Sequence, residues 1–289
     1  MRAAPASVAG VNGVLLLTLG LVAPVDAGVR SKDEVEIRYH AEGRGEPAVV
    51  FVHCWTCDRR YWDAQLPRIA RTRRVVALDL AGHGESGRKR TAWTVEAFGD
   101  DVVAVVDALR LRRVVLVGHS LGGPVILAAA QRLGDRVAGL IPVDTLLDVE
   151  EKTSPAKIEE FLAPFEQDYP TAAEGFVRGY LFVPSSPAAV VERVVARTRA
   201  APKEMAIGAL RHLWSYDAAR AFEATQVPIH AINGDKFPTN LEANRRHAPQ
   251  YQVTLIPGVG HYPMLEAPER FGDLLEATLR AVLAAAPRR

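Results

Sequence analysis

The chain has 289 residues, 48% of them hydrophobic and 24% charged, the balance of a globular protein with one large α/β domain or two small ones. Its 35 Lys plus Arg nearly cancel its 34 Asp plus Glu, so no charge surplus draws it to nucleic acid or an anionic membrane. The same apolar content excludes intrinsic disorder.

Residues 1–27 carry one early cation, Arg2, then an uncharged and mostly apolar run through Val25, and end in Val25-Asp26-Ala27 before Gly28. This is the form of a secretory signal cut after Ala27. The run is also nearly long enough to span a bilayer, so an N-terminal membrane anchor is the alternative, and a start further along the chain is a third reading. Gly10, Asn12, Gly13 and Gly20 inside the run favour cleavage. The expectation is therefore an exported protein, periplasmic or secreted, with no stable membrane insertion after cleavage.

Beyond Gly28, short β-rich runs alternate with longer stretches of helical period, the pattern of a mostly parallel sheet covered by helices. Strands are predicted at Val35–Tyr39, Val49–His53, Val75–Asp79, Val114–Gly118, Val137–Val143, Ile229–Ile232 and Val253–Ile256. Several are unbroken Val/Ile/Leu runs, as strands buried on both faces require. Helices are predicted after Thr94, a natural N-cap, after Ser120 as far as Gly134, and from Pro268 onward. The rhythm breaks after Asp144. From Leu146 to about Thr225 there are helical stretches divided by Pro170, Pro184, Pro187 and Pro202 but no convincing strand. This predicts a sheet core from 28–144 and 226–289, with a helical cap, 145–225, inserted over the strand ends.

Gly118-His119-Ser120-Leu121-Gly122 fits G-x-S-x-G between a strand and a small-residue helix. A serine on so tight a turn projects its hydroxyl clear of the sheet, and the flanking glycines avoid collisions with strand and helix. The Leu121 amide then sits at a helix N-terminus, aimed at charge developing on a substrate. The hydroxyl needs a base, and the base an orienting acid. Among eight histidines, His261 is best placed, between the last predicted strand and the last helix. Asp235, at the end of the preceding strand, is the expected acid, with Asp144 at another strand end as its competitor. The chain order serine, acid, histidine belongs to one serine-hydrolase architecture.

These segments resemble the α/β-hydrolase superfamily, in the serine-nucleophile branch that carries a helical cap and includes carboxylesterases. "VFVHCW" is similar to the loop after the third strand, "VVALDLAGHGES" to the next strand and turn, "GHSLGG" to the nucleophile elbow, "INGDKFP" to the acid loop and "GVGHYPMLEAPERF" to the histidine loop. The resemblance implies the α/β-hydrolase fold and an esterase that cleaves small to medium uncharged carboxylic esters through an acyl-enzyme. It implies an ester and water as partners, no organic cofactor and no metal. It leaves open a C-C bond hydrolase or lactonase with the same triad, and a non-catalytic binding protein on the same fold. It also assigns the second oxyanion donor to the amide of Trp55, in a loop that usually reads His-Gly-X.

Cys54 stands where that loop has glycine, and Cys57 follows in C-x-x-C spacing. Within the resemblance the pair reads either as a disulfide stiffening the oxyanion loop or as two packed thiols. Redox catalysis and zinc binding fit poorly, because the surrounding motifs already belong to a hydrolase and no further ligands stand at metal spacing. Ser154-Pro155-Ala156-Lys157 matches S-x-x-K but reads as a helix start.

Overall fold

The computed structural model describes residues 24–287, so the proposed signal region lies outside the described residues except for its last four positions. Eight strands form one sheet: β1 (Val25–Arg30), β2 (Glu36–Glu42), β3 (Ala48–Val52), β4 (Val75–Leu78), β5 (Val114–His119), β6 (Val137–Val143), β7 (Ile229–Gly234) and β8 (Tyr251–Ile256). Their order is β1-β2-β4-β3-β5-β6-β7-β8; β2 pairs antiparallel with both β1 and β4, and the strands from β4 to β8 run parallel. All of β3, β4, β5 and β6 are buried, which accounts for their largely apolar sequences.

The strand the sequence reading missed is β1. Val25, Asp26 and Ala27 had been read with the leader, but they pair with Ala41, His40 and Tyr39 of β2. Cleavage after Ala27 would leave this edge strand only its second half, Gly28 to Arg30.

Helices α1 (Leu66–Ala70), α2 (Val95–Ala108) and α3 (Gly122–Leu133) connect the first parallel strands. Thr94 caps α2 through its side chain, accepting from the Ala97 amide at 3.1 Å. Between β6 and β7 lie five helices: α4 (Pro155–Gln167), α5 (Tyr169–Phe176), α6 (Ala188–Arg199), α7 (Lys203–Trp214) and α8 (Ala218–Glu223). A five-residue π-helical turn, Val177–Leu181, follows directly on α5. Ser154 caps α4 at its start, so the S-x-x-K match is a helix N-terminus. Helices α9 (Leu241–His247), α10 (Pro263–Glu266) and α11 (Pro268–Ala285) complete the chain.

One buried charge cluster ties the antiparallel edge to the parallel core. Asp101 of α2 accepts from Ser31 Oγ at 2.6 Å, from the Ala81 amide at 3.0 Å and from Arg90 Nη2 at 2.6 Å. Arg90 in turn reaches Asp33 in the β1–β2 turn at 2.6 Å. The side chains of Asp101 and Arg90 are 0% and 2% exposed, so removing Asp101 leaves the buried Arg90 only Asp33 at the turn, a partner 41% exposed. We expect Asp101→Ala to cost about 3–5 kcal/mol, the range for breaking a buried ion pair. Urea denaturation checks this, and a loss below about 1 kcal/mol, the value of an exposed pair, would contradict the assignment.

Candidate active site

Ser120 stands where β5 turns into α3, at φ +52°, in the left-handed region that a side chain seldom occupies. Its amide donates to the Val143 carbonyl of β6 at 3.0 Å, and its carbonyl accepts from the Gly123 amide at 2.8 Å. The glycines are required by close approach. A Cβ on Gly118 would run into the Gly122 carbonyl, and one on Gly122 would lie 2.6 Å from the Val52 carbonyl oxygen of β3. The turn is therefore pressed between β3 and β6, with Ser120 at the C-terminal end of β5.

Here the structure departs from the expected pairing, because Asp144 and not Asp235 meets His261. His261 Nδ1 lies 2.5 Å from Asp144 Oδ2, and the other carboxylate oxygen, Oδ1, accepts from the Gly234 amide at 2.8 Å. Asp144 is buried, at φ +45°, directly after β6, the neighbour of β5. Asp235 is exposed, and its Oδ1 accepts from the Gly258 amide at 2.9 Å. The physical reason is the length of β7. That strand runs on to Gly234, whose amide turns inward to Asp144, so the next side chain points out and staples the β7 and β8 loops instead. The sequence held a signal for Asp144, since it closes an entirely buried run, "VAGLIPV".

The histidine loop is held from three sides. The His261 amide donates to Leu181 O in the π-turn at 2.7 Å, and the flanking amides of Gly260 and Tyr262 each donate to the Glu266 carboxylate at 2.9 Å. Glu266 also accepts from Ser186 Oγ at 2.5 Å, which joins the loop to the helical insertion. No sequence argument singled out Glu266, although it lies inside the quoted histidine-loop segment. His119 Nε2 donates to the His261 carbonyl at 2.7 Å, and the two imidazole centroids are 4.8 Å apart. Burial, and then the nearby His261, hold the His119 pKa well below its ordinary value, so it serves as a neutral brace.

The loop after β3 carries the sharpest departure from expectation. Cys54 and Cys57 form a disulfide, with Cα atoms 5.3 Å apart. Cys54 is absent from the residues with positive φ; the left-handed position falls two residues later, at Thr56, φ +58°. The glycine of the usual loop is thus unnecessary at Cys54, and the strain moves to Thr56, whose hydroxyl donates to the Trp55 carbonyl at 2.7 Å and lies 3.0 Å from Thr198 Oγ1 of α6. His53 fixes the start of the loop. Its Nε2 accepts from the Leu80 amide at 3.0 Å, so Nδ1 carries the proton and donates to the Cys54 carbonyl at 2.8 Å. Burial lowers the His53 pKa and keeps this neutral tautomer.

The insertion grips the same loop. Trp55 Nε1 donates to the Ala206 carbonyl of α7 at 2.8 Å, and Arg197 of α6 pairs with Asp58, which also caps the turn at Arg59–Trp62. In the hydrogen-bond network of the described residues, the main-chain amides of Trp55 and Leu121 have no acceptor. Both belong to residues that flank the Ser120 turn in space, because Gly122 packs on Val52 and His53. Among the described residues, no group of three or more His, Cys, Asp or Glu is placed to hold a metal ion.

Residues 49–274 match the alpha/beta hydrolase family, and the chain belongs to it. The chain is 29% identical to a thermophilic esterase from Thermogutta terrifontis, whose structure superposes with a TM-score of 0.79 over 89% of this chain and 99% of that one. It is 30% identical to a non-heme haloperoxidase from Rhodococcus erythropolis, over 74% of this chain and 76% of that protein. It is 27% identical to the dihydrolipoyllysine-residue acetyltransferase component of the acetoin cleaving system of Pseudomonas putida, over 82% of this chain but only 65% of that longer protein. The fold is that of a hydrolase acting with water on a small molecule.

The disulfide has a direct check. Native protein treated with an alkylating agent under denaturing, non-reducing conditions should gain no label, and reduced protein should gain two, one for each cysteine of the chain. Two labels without reduction would show free thiols and leave the loop to its hydrogen bonds.

Proposed function

We propose that the protein is a serine hydrolase that cleaves carboxylic esters of small to medium uncharged substrates through an acyl-enzyme. The observation that carries this reading is the bond between His261 and Asp144 at the sheet edge where Ser120 stands in its strained turn. In this mechanism Ser120 Oγ attacks the ester carbonyl and His261 Nε2 takes its proton. Asp144 keeps the proton on Nδ1, so that Nε2 is free to accept, and stabilises the imidazolium that forms. The amides of Leu121 and Trp55 donate to the oxygen of the tetrahedral intermediate. His261 then protonates the leaving alcohol and activates the water that releases the acid. The esterase likeness supports the ester as substrate, and the helical insertion, acting as a cap, would keep bulk water from the acyl-enzyme.

The same reading includes export to an oxidising compartment, supported by the disulfide and by the leader-like run before Val25.

A panel of p-nitrophenyl esters of graded chain length tests the activity, and failure to hydrolyse any of them with folded protein would refute it. Ser120→Ala and His261→Ala should each lower kcat on the order of 10⁴ to 10⁶, as loss of a nucleophile or base does elsewhere. Asp144→Ala should cost about 10⁴, whereas Asp235→Ala, at an exposed staple, should stay within about threefold of the parent. The reverse pattern for the two aspartates would overturn the Asp144 assignment.

A further inference from the structure

The helical insertion carries a continuous file of aromatic rings that begins and ends at elements of the site. Trp55, whose amide is the proposed oxyanion donor, meets Phe176 of α5 edge-on at 6.1 Å between centroids. Phe176 stacks on Tyr180 at 5.6 Å, and Tyr180 lies 4.9 Å from Phe237, in the loop after β7. The next residue after Tyr180 is Leu181, whose carbonyl holds the His261 amide. Phe176 and Tyr180 therefore bridge from the proposed oxyanion donor to the histidine loop.

Two features set these rings apart from ordinary packing. Tyr180 is 54% exposed, one of the few large apolar side chains in the described residues left so open, and Phe176 and Phe237 are half-buried. Tyr180 is also carried on the π-helical turn, a local irregularity that redirects a helix face and recurs at functional sites. Deeper in the insertion, Phe161 extends the wall, 5.4 Å from Phe176, and Trp214 lies 4.2 Å from Phe161.

We infer that Phe176, Tyr180 and Phe237 form a subsite for an aromatic ring of the substrate, which makes the protein selective for aryl-bearing esters. The inference rests on the ester-hydrolase reading and specifies its substrate class. Partly wetted ring faces and edges gain more from another ring, through offset or edge-to-face contact, than from an alkyl group of equal size.

Benzyl acetate and cyclohexylmethyl acetate test this, because they have similar size and similar leaving groups and differ mainly in aromaticity. The parent protein should favour benzyl acetate in kcat/KM by on the order of three- to tenfold, the value of one aromatic contact. Tyr180→Leu should bring the ratio towards one, through KM, and Tyr180→Phe should restore it. Equal use of both esters by the parent, or a ratio untouched in Tyr180→Leu, would overturn the subsite. Binding of the unreactive probes benzyl alcohol and cyclohexylmethanol, followed by tryptophan fluorescence, separates the two readings. Selective binding of benzyl alcohol that is lost in Tyr180→Leu supports the subsite even if no ester is cleaved, whereas indifference to both alcohols counts against it even if esters are.

Discussion

The Asp144 carboxylate is the constraint on which the site is assembled. One oxygen is fixed by the Gly234 amide of β7 and the other by the His261 ring from the loop after β8, while its own amide donates to the Ile232 carbonyl at 2.9 Å. Three strand ends are thereby tied at one buried point. β6 lies beside β5, and the Ser120 amide is bonded to the last residue of β6, so the positions of Asp144 and Ser120 are set by the same pair of strands. Both residues pay for this with left-handed backbones, which persist because the surrounding hydrogen bonds leave them no relaxed alternative.

Much of this arrangement was legible in the sequence. The apolar runs located seven strands because buried parallel strands need unbroken Val, Ile and Leu, and the Gly-x-Ser-x-Gly turn was legible because its glycines answer to a steric demand that no other residue meets. His261 followed from its place between a strand and a helix. What local pattern does not give is which of two strand-end aspartates meets His261. Each directly follows the end of its strand, Asp144 after Val143 and Asp235 after Gly234, and the difference between them is whether the last backbone group of the strand turns inward. That is a property of the pairing of β7 with β6 and β8, which no local pattern encodes. β1 was lost for a similar reason: residues of an edge strand and of a leader's end have the same small, mixed character, and only the partner strand distinguishes them.

The oxyanion loop shows how a departure from a family pattern can be absorbed. A glycine in such a loop supplies backbone freedom; here that freedom is not used at Cys54, and a side chain becomes available for a covalent tie to Cys57. Thr56 takes the left-handed conformation in its place, compensated by hydrogen bonds to its own loop and to Thr198. His53, held neutral, ties the loop to Leu80, two residues past β4. The C-x-x-C spacing that suggests redox chemistry is thus accounted for by geometry.

The contacts of the helical insertion argue that it does more than cover the sheet. α6 reaches the loop through Arg197 to Asp58 and Thr198 to Thr56, α7 holds the Trp55 indole, and the π-turn holds the His261 amide. In the proposed mechanism the placement of Trp55 and His261 within a fraction of an ångström decides whether charge on an oxygen is met and a proton is caught. Their supports come from one continuous insertion. Any displacement of that insertion moves the Trp55 loop and the His261 loop together, which couples the two halves of the proposed mechanism.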